Sequence, residues 1–280
     1  MKQFSILISV YQHEKAAYLK ECFDSILQQT LPPTEIILVE DGQLTEELYA
    51  AIEEECQRFH NIIRVPLEKN CGLGIALNKG LEACHYDIIA RMDTDDICLP
   101  DRFEKQWNFL NDHPDIDVLS AWITEFVDVP SNKVSIRSLP EQHDEIYEFG
   151  KTRNPINHPA VMFRKHAVEA VGSYQPAPLF EDYYLWARML QANHRFHNIQ
   201  EPLLLFRRSS AMMKRRGGQQ YARNEIDFQK KIRNIGYIST WRMTKNIILR
   251  CGIRIMPNSL RTWIYKRYLR ITCRPMQTTQ

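Results

Sequence analysis

Ile88-Ile89-Ala90-Arg91-Met92-Asp93-Thr94-Asp95-Asp96 is the stretch that decides the fold of this chain. Its first residues are mostly apolar and suit a buried strand, and it ends in three carboxylates among four residues. Neighbouring carboxylates repel one another, and protonation, a basic partner or a bound metal ion relieves that repulsion. The stretch therefore predicts a central strand that ends at a cation site.

Short apolar runs alternate with helical stripes on the N-terminal side of this strand. Strands are predicted at 4–11, 35–39 and 62–65, and helices at about 16–29, at 45–59 and after the turn at 70–74. The alternation predicts an α/β fold with a doubly wound, mostly parallel sheet flanked by helices, whose ligands lie beyond the carboxyl ends of the strands. Glu40-Asp41 and the acidic residues 93–96 both fall at such ends.

The second half of the chain shows the same two kinds of pattern, helical stripes and apolar runs, but more weakly. Helices are predicted from Pro100 to about 113, at 165–171 and after Glu181-Asp182, and strands at 117–126, 160–163 and 202–206. Residues 127–157 show a mixed pattern. A loop at 212–218 and helices near 222–233, 240–251 and 258–270 complete the prediction.

Charge is distributed unevenly along the 280 residues. The chain has 36 basic and 34 acidic residues, but no acid follows Asp227, whereas 12 lysines and arginines do. This basic tail favours an anionic partner. No apolar run approaches the roughly 20 residues of a membrane-spanning helix and no signal peptide is visible, so we expect a cytoplasmic protein. The seven cysteines contain no C-x-x-C pair and are interpreted as reduced.

Taken alone, Asp93-Thr94-Asp95 is a weak motif, because D-x-D also occurs in solvated turns and helix caps. Its place after a predicted buried strand favours a hard cation such as Mg²⁺ or Mn²⁺, which prefers carboxylate oxygens and completes its coordination with water and substrate phosphates.

Five motifs occur in a fixed order: SILISVYQHE (5–14), VEDG (39–42), N-x-G-L-G-x-A-x-N-x-G (70–80), RMDTDDI (91–97) and FEDYYLWARM (180–189). This ordered set resembles the family 2 inverting nucleotide-sugar glycosyltransferases with the GT-A fold, and within them the bacterial enzymes of O-antigen, capsule or exopolysaccharide synthesis. The resemblance implies a GT-A domain over 1–215, with a nucleotide-sugar-binding half at 1–100 and an acceptor and catalytic half at 101–215. Residues 216–280 are expected to be a basic helical extension that associates with a membrane surface.

The resemblance also implies a nucleotide-sugar site. Its residues are Val10, Tyr11, Asp41, Asn70, Gly72, Lys79, Arg91, Asp93, Thr94 and Asp95. Asp41 would bind the uracil, Arg91 and Asp93 the uridine or ribose, and Asp95 the Mn²⁺ or Mg²⁺ that bridges the diphosphate. The family often has a small polar residue after the tyrosine of the first strand, and this chain has Gln12-His13, which leaves the contacts of the first loop open.

Inverting transfer is an in-line displacement, so a carboxylate must remove the proton of the acceptor hydroxyl on the face opposite the departing diphosphate. Asp182 is the candidate base, because it matches the second position of the family's E-D pair and precedes a helix whose N-terminus favours the ionised form. The alternative is a helix N-cap. Glu181 is expected to orient the acceptor or support the loop.

Two further groups have open interpretations. His158 could bind acceptor or metal, although a lone histidine is more often structural. A basic cluster suits the diphosphate of the donor or of a lipid-linked acceptor, or is a solvated face. Its members are Arg207, Arg208, Lys214, Arg215 and Arg216.

These observations predict a metal-dependent glycosyltransferase that moves a hexose or N-acetylhexosamine, with galactose favoured, from a UDP-sugar to a polyprenyl-diphosphate-linked glycan. It would lie on the cytoplasmic face of the inner membrane and bind no nucleic acid. A phosphatase with D-x-D-x-T needs its motif after the first strand, and a nucleotidyltransferase needs a glycine-rich loop there, which Tyr11-Gln12-His13-Glu14-Lys15 lacks. A non-enzymatic basic membrane adaptor with a degenerate nucleotide-binding fold is the alternative, but it leaves the carboxylates unexplained.

Overall fold

Within the residues described by the computed structural model, 2–208 and 218–255, nine strands form one sheet. They are β1 Ser5–Val10, β2 Glu35–Glu40, β3 Ile62–Pro66, β4 Ile88–Asp93, β5 Ile97–Cys98, β6 Val118–Phe126, β7 Lys133–Arg137, β8 Met162–Arg164 and β9 Phe196–Arg207. Their order is β3-β2-β1-β4-β8-β6-β9-β5, and β7 pairs with the C-terminal part of β6.

The helices lie between these strands along the chain. They are α1 Ala16–Leu27, α2 Glu46–Arg58, α3 Leu73–Ala83, α4 Arg102–Asp112, α5 His143–Gly150, α6 Lys165–Ala170, α7 Glu181–Gln191, α8 Gln219–Asn234 and α9 Thr240–Ile255. A 3₁₀ turn spans His158–Ala160. The predicted helix at 258–270 and nearly all of the predicted loop at 212–218 lie outside the described residues.

The four N-terminal strands confirm the predicted parallel arrangement. β1 pairs in parallel with β2 and β4, and β2 pairs in parallel with β3. The other half of the sheet is mixed, because β8 runs antiparallel to both β4 and β6. β8 has only three residues and directly follows the 3₁₀ turn. No crossover helix precedes it, so the sequence pattern does not reveal that it runs antiparallel.

Alternate residues of the central strands point to opposite faces, and each face is covered by helices. Ile6 and Ile8 belong to a buried cluster with α1, α2 and α4, whereas Leu7 belongs to one with α3, α5, α6, α7 and α8. All three side chains are fully buried.

Residues 127–157 contain more structure than their pattern predicts. β7 and α5 lie in this region, and β9 extends well beyond the predicted 202–206 on its N-terminal side. The basic extension begins with α8, which packs on the body: Phe228 stacks on Phe180 with ring centroids 4.8 Å apart. None of the described helices combines the length and the apolarity that crossing a membrane requires.

Candidate active site

The ends of β1, β2 and β4 bring the acidic stretches to one edge of the sheet. β1 lies between the other two strands, with Val10 paired to Glu40 and Ser9 to Asp93. The Asp41 amide donates to the carbonyl of Val10 at 2.8 Å. Parallel pairing therefore brings together residues that are more than 50 positions apart in the chain.

Three carboxylates form a cluster after β4. One oxygen from each of Asp93, Asp95 and Asp96 lies within 4.8 Å of the others. Both oxygens of Asp93 accept from the buried Arg91 guanidinium, with Nη1 to Oδ2 at 2.6 Å. Asp96 is fully buried; its Oδ1 accepts from the Arg207 amide at 2.9 Å, while its Oδ2 has no partner among the described residues.

Burial and the charges of neighbouring carboxylates disfavour the ionised forms of Asp95 and Asp96. Burial, the Asp93 carboxylate and the Glu14 carboxylate raise the pKa of Asp95 to about 7. Burial, followed by Asp95 and Asp93, raises the pKa of Asp96 well above its usual range. A divalent cation would remove this cost, and the unpartnered Asp96 oxygen and the hard oxygen donors fit Mg²⁺ or Mn²⁺. Asp95, the predicted metal ligand, belongs to this cluster.

Glu14 is a site residue to which the sequence analysis assigns no role. Its carboxylate accepts from the Thr94 hydroxyl at 2.7 Å and from the Lys15 amide at 2.7 Å. Burial raises its pKa, and the Asp93 charge adds to the effect. The loop after β1 is thus tied to the carboxylate cluster through a contact between residues 80 positions apart.

The predicted uracil residue, Asp41, shapes the neighbouring turn. Its two oxygens accept from the amides of Cys71 and Gly72 at 2.7 and 3.1 Å, and the Asn70 side chain donates to its carbonyl at 3.2 Å. Gly72 has a φ of +86°, which favours glycine at this start of α3. Asp41, Asn70 and Gly72 therefore form one unit at the edge of the sheet.

Two further nucleotide-site candidates, Tyr11 and Lys79, lie after β1 and on α3. Tyr11 is half-buried, with its ring edge-on to His13 at 5.6 Å between centroids. Lys79 lies on α3 and forms a 2.8 Å ion pair with Glu82 on the helix surface.

Asp182 lies at the start of α7 as predicted. Its Oδ2 accepts a 2.6 Å hydrogen bond from the side-chain amide of Asn154, a residue from the weakly patterned region. Burial raises the pKa of Asp182, while the Tyr183 amide, Asn154 and Arg91 oppose the shift.

Glu181 and the loop before it contact α3. A Cβ placed on Gly74 would lie 3.3 Å from the Glu181 side chain, so a side chain at position 74 would crowd it. Asn78 exchanges two hydrogen bonds with the backbone of Tyr174, at 2.8 and 2.9 Å. Leu179 has a φ of +69°, a conformation that costs energy for leucine. The 172–180 loop is therefore held on α3 beside the candidate base.

His158 is buried and lies in the core. Its Nε2 is 2.8 Å from the Tyr174 hydroxyl, and its ring contacts Trp186 edge-on at 6.0 Å. Burial, aided by the Arg91 charge, lowers its pKa well below the usual range. These are the contacts of a neutral structural histidine.

The two described members of the predicted basic cluster are both engaged. The Arg207 guanidinium donates to the carbonyl of Asp95 at 2.9 Å and lies 3.9 Å from the Tyr18 ring centroid. Arg208 is 3.3 Å from the Glu125 carboxylate. The other members, Lys214, Arg215 and Arg216, lie outside the described residues.

A mixed α/β sheet with an acidic D-x-D edge is the architecture of GT-A glycosyltransferases. Residues 5–171 match the family model for "Glycosyl transferase family 2". This chain belongs to that family and is an enzyme, a glycosyltransferase.

Two relatives align over almost their whole length. The amylovoran biosynthesis glycosyltransferase AmsE of Erwinia amylovora is 39% identical over 94% of this chain and 98% of its own. The UDP-Gal:alpha-D-GlcNAc-diphosphoundecaprenol beta-1,3-galactosyltransferase of Escherichia coli is 40% identical over 96% of this chain and 97% of its own. Polysaccharide biosynthesis is therefore the setting of the family members that this chain resembles.

Solved structures show the same fold at low identity. S. aureus TarS 1–349 in complex with UDP-GlcNAc has a TM-score of 0.66 at 15% identity and covers 96% of this chain and 76% of that one. The mannosyltransferase PcManGT of Pyrobaculum calidifontis, in complex with GDP-Man and Mn²⁺, has a TM-score of 0.60 at 13% identity, over 95% and 80%.

Proposed function

We propose that this chain is a metal-dependent inverting glycosyltransferase of surface polysaccharide synthesis, in O-antigen or capsule assembly. It moves a hexose or N-acetylhexosamine, with galactose favoured, from a UDP-sugar to a lipid-diphosphate-linked glycan. The observation that carries the proposal is the carboxylate cluster of Asp93, Asp95 and Asp96 after β4, in which one buried oxygen of Asp96 has no partner among the described residues. The E. coli relative acts from UDP-Gal on a diphosphoundecaprenol-linked sugar, which supports the donor and acceptor classes.

In this proposal Asp95 holds the Mn²⁺ or Mg²⁺, and Asp93 and Asp96 support it. The bound ion supplies positive charge for the diphosphate of the donor. The Arg91 pair fixes Asp93 toward the nucleoside, and Asp41 holds the 70–72 turn that forms the nucleotide wall with Val10, Tyr11 and Lys79.

Asp182 takes the proton of the acceptor hydroxyl as that oxygen attacks the anomeric carbon. The new glycosidic bond forms as the bond to the UDP oxygen breaks, and the leaving pair of electrons stays on UDP. The donated hydrogen bond from Asn154 and the N-terminus of α7 stabilise the ionised carboxylate, so it remains a base despite its burial. Glu181, beside Gly74, orients the acceptor.

The acceptor would bring its own diphosphate on a polyprenyl chain. Arg208 and the basic residues 214–216 are the proposed partners of a diphosphate, because arginine pairs well with phosphate oxygens. A lipid-linked acceptor also requires access to a membrane surface, so we place the enzyme in the cytoplasm, peripheral on the inner membrane through its basic C-terminal region.

A donor screen tests the proposal. The purified full chain is incubated with Mn²⁺, a synthetic GlcNAc-diphosphate lipid and UDP-Gal, UDP-Glc, UDP-GlcNAc or UDP-GalNAc, and UDP release and the anomeric configuration of the product are measured. The expected result is acceptor-dependent UDP release, greatest with UDP-Gal, and an inverted product. Absence of acceptor-dependent release from every UDP-sugar, or a retained configuration, would overturn it. The adaptor alternative predicts no turnover at all.

A further inference from the structure

The helix α9 is held on the protein partly through polar residues. Its polar residues Asn246 and Arg250 face the protein. The Asn246 amide donates to the Gln229 side chain at 3.0 Å and to the Lys151 carbonyl at 2.9 Å. Met243 of α9 also packs against the core, so these hydrogen bonds add to the apolar contact that holds the helix.

Arg250 provides the second anchor. It donates to the buried Glu225 carboxylate at 2.6 Å and to the carbonyl of Thr152 at 2.6 Å. Because removal of one partner would leave a buried charge, this pair orients α9 on α8 strongly. The side of α9 opposite Asn246 and Arg250 faces outward.

That outward side carries large apolar residues. Trp241, Ile248 and Leu249 are 77%, 66% and 54% exposed. Spacings of seven and eight residues place them on one face of the helix. No described residue covers this face.

The surroundings of this face are cationic. Lys245 lies within the face, because the helical repeat places this residue between Ile248 and Leu249, and Arg242 lies at its edge. Arg242 also lines a cavity of about 280 Å³ with Tyr147, Lys151 and Tyr237. The sequence has no acid after Asp227. A tryptophan beside lysine and arginine, with aliphatic residues one and two turns further on, suits the interface of an anionic bilayer.

We propose that the outward face of α9 lies on an anionic lipid bilayer, with Trp241, Ile248 and Leu249 in the interfacial layer. Two other occupants would be opposed by charge. A second copy of this chain would bring Arg242 and Lys245 against the same residues of its partner. Residues 256–280 add five further lysines and arginines and no acid. Anionic lipid is attracted by all of these charges.

The placement deepens the proposed function, on which it rests for the lipid-linked acceptor. α9 holds the carbonyls of Lys151 and Thr152, and Asn154, two residues further, holds Asp182. The helix on the bilayer and the candidate base thus share one short segment. This arrangement would deliver the base to the depth at which a membrane-anchored diphosphate emerges.

Vesicle co-sedimentation of the full chain tests the inference without any turnover. The variant Trp241→Ser/Ile248→Ser/Leu249→Ser is compared with Leu27→Ser, which alters an apolar residue on α1 that is 55% exposed. Vesicles of phosphatidylcholine with phosphatidylglycerol should bind wild type and Leu27→Ser, whereas the triple variant should bind at least about thirtyfold more weakly. Pure phosphatidylcholine should bind the wild type much less, because the attraction of the cationic flanks is lost.

Activity on a short-chain, water-soluble diphosphate acceptor should be the same in wild type and the triple variant. Equal vesicle binding by the triple variant and wild type would overturn the inference, as would a triple variant that changes only the monomer–dimer ratio in sedimentation equilibrium. Should the triple variant fail its circular dichroism control, Trp241→Ser and Lys245→Glu apply the same test singly. If the triple variant loses vesicle binding but the wild type transfers no sugar, the proposed function is refuted and this inference stands.

Discussion

Asn154 donates a 2.6 Å hydrogen bond from its side-chain amide to Oδ2 of Asp182. The other end of the amide accepts from the backbone N–H of Ile156 at 3.3 Å, and the Asn154 carbonyl accepts from Arg137 at 3.3 Å. These contacts point the NH₂ group at the carboxylate. A donated hydrogen bond stabilises the ionised form, which is the form that a base requires.

The pH dependence of transfer should therefore respond to Asn154. Burial raises the pKa of Asp182, so kcat should fall as the pH drops through that value and the carboxylate is protonated. Asn154→Ala removes a contact that lowers the pKa of Asp182, so the acidic limb should move to higher pH. The measurement is kcat against pH with saturating donor, with Asn111→Ala on the exposed end of α4 as control. An unmoved acidic limb would show that Asn154 does not tune the base.

Replacement of the base itself separates binding from chemistry. Asp182→Asn keeps the size of the side chain and removes its capacity to accept a proton, so kcat should fall by about 10²- to 10⁴-fold. Donor affinity, measured by calorimetry with UDP and Mn²⁺, should stay within about twofold, because the proposed nucleotide site lies at the ends of β1, β2 and β4. A large loss of UDP affinity with the transfer rate preserved would assign Asp182 to donor binding.

Metal binding should depend on Asp95. In the wild type, Mn²⁺ should raise the melting temperature, because a cation relieves the repulsion among Asp93, Asp95 and Asp96 and binds only the folded chain. Asp95→Asn should abolish most of that shift and lower transfer by at least about 10²-fold. Thermal unfolding with and without Mn²⁺ gives the first readout and UDP release the second. An undiminished Mn²⁺ shift in Asp95→Asn would place the ion elsewhere.

The sequence predicts the strand ends well and the residues behind them poorly. Apolar runs that end in Glu40-Asp41 and Asp93 identify the carboxyl edge, because parallel strands align these ends whatever the helices between them. No comparable sequence pattern identifies Glu14 or Asn154. Each gains its role from a partner far along the chain, Thr94 or Asp182, and periodicity holds no information on such pairs.

Basic residues illustrate the same limit in reverse. Arg207 and Arg208 belong to a group of basic residues that suggests a phosphate site from the sequence. The fold gives Arg207 a buried position, with Asp95 and Asp96 as its neighbours. The density of basic residues in a sequence does not show which guanidinium groups donate hydrogen bonds to acceptors within the protein.

Packing at Gly80 leads to a stability prediction. A Cβ at this position would lie 2.2 Å from a methyl group of Leu7 and 2.7 Å from one of Val39, both in the core. Gly80→Ala should therefore lower the free energy of unfolding by about 1 to 3 kcal/mol, although alanine is the better helix former. Urea unfolding is the measurement, and Glu82→Ala, on the exposed side of α3, should change stability by about 0.5 kcal/mol or less. A stabilised Gly80→Ala would mean that β1 and α3 separate easily.

Arg207 should act on the metal site by holding its loop. The guanidinium donates to the carbonyls of Asp95 and Asp128, at 2.9 and 2.8 Å, and to the Glu21 carboxylate, whereas the bond to Asp96 comes from the backbone amide. Lysine cannot reach these diverging acceptors together. Arg207→Lys should therefore raise the Mn²⁺ concentration for half-maximal activity by about tenfold, since one or two such bonds are worth about 1 to 3 kcal/mol. The KM for the UDP-sugar at saturating Mn²⁺ should change little, and Arg208→Lys should leave the Mn²⁺ dependence unaltered. If Arg207 contacts the diphosphate directly, the outcome reverses: the KM rises at saturating Mn²⁺ and the metal dependence stays that of the wild type.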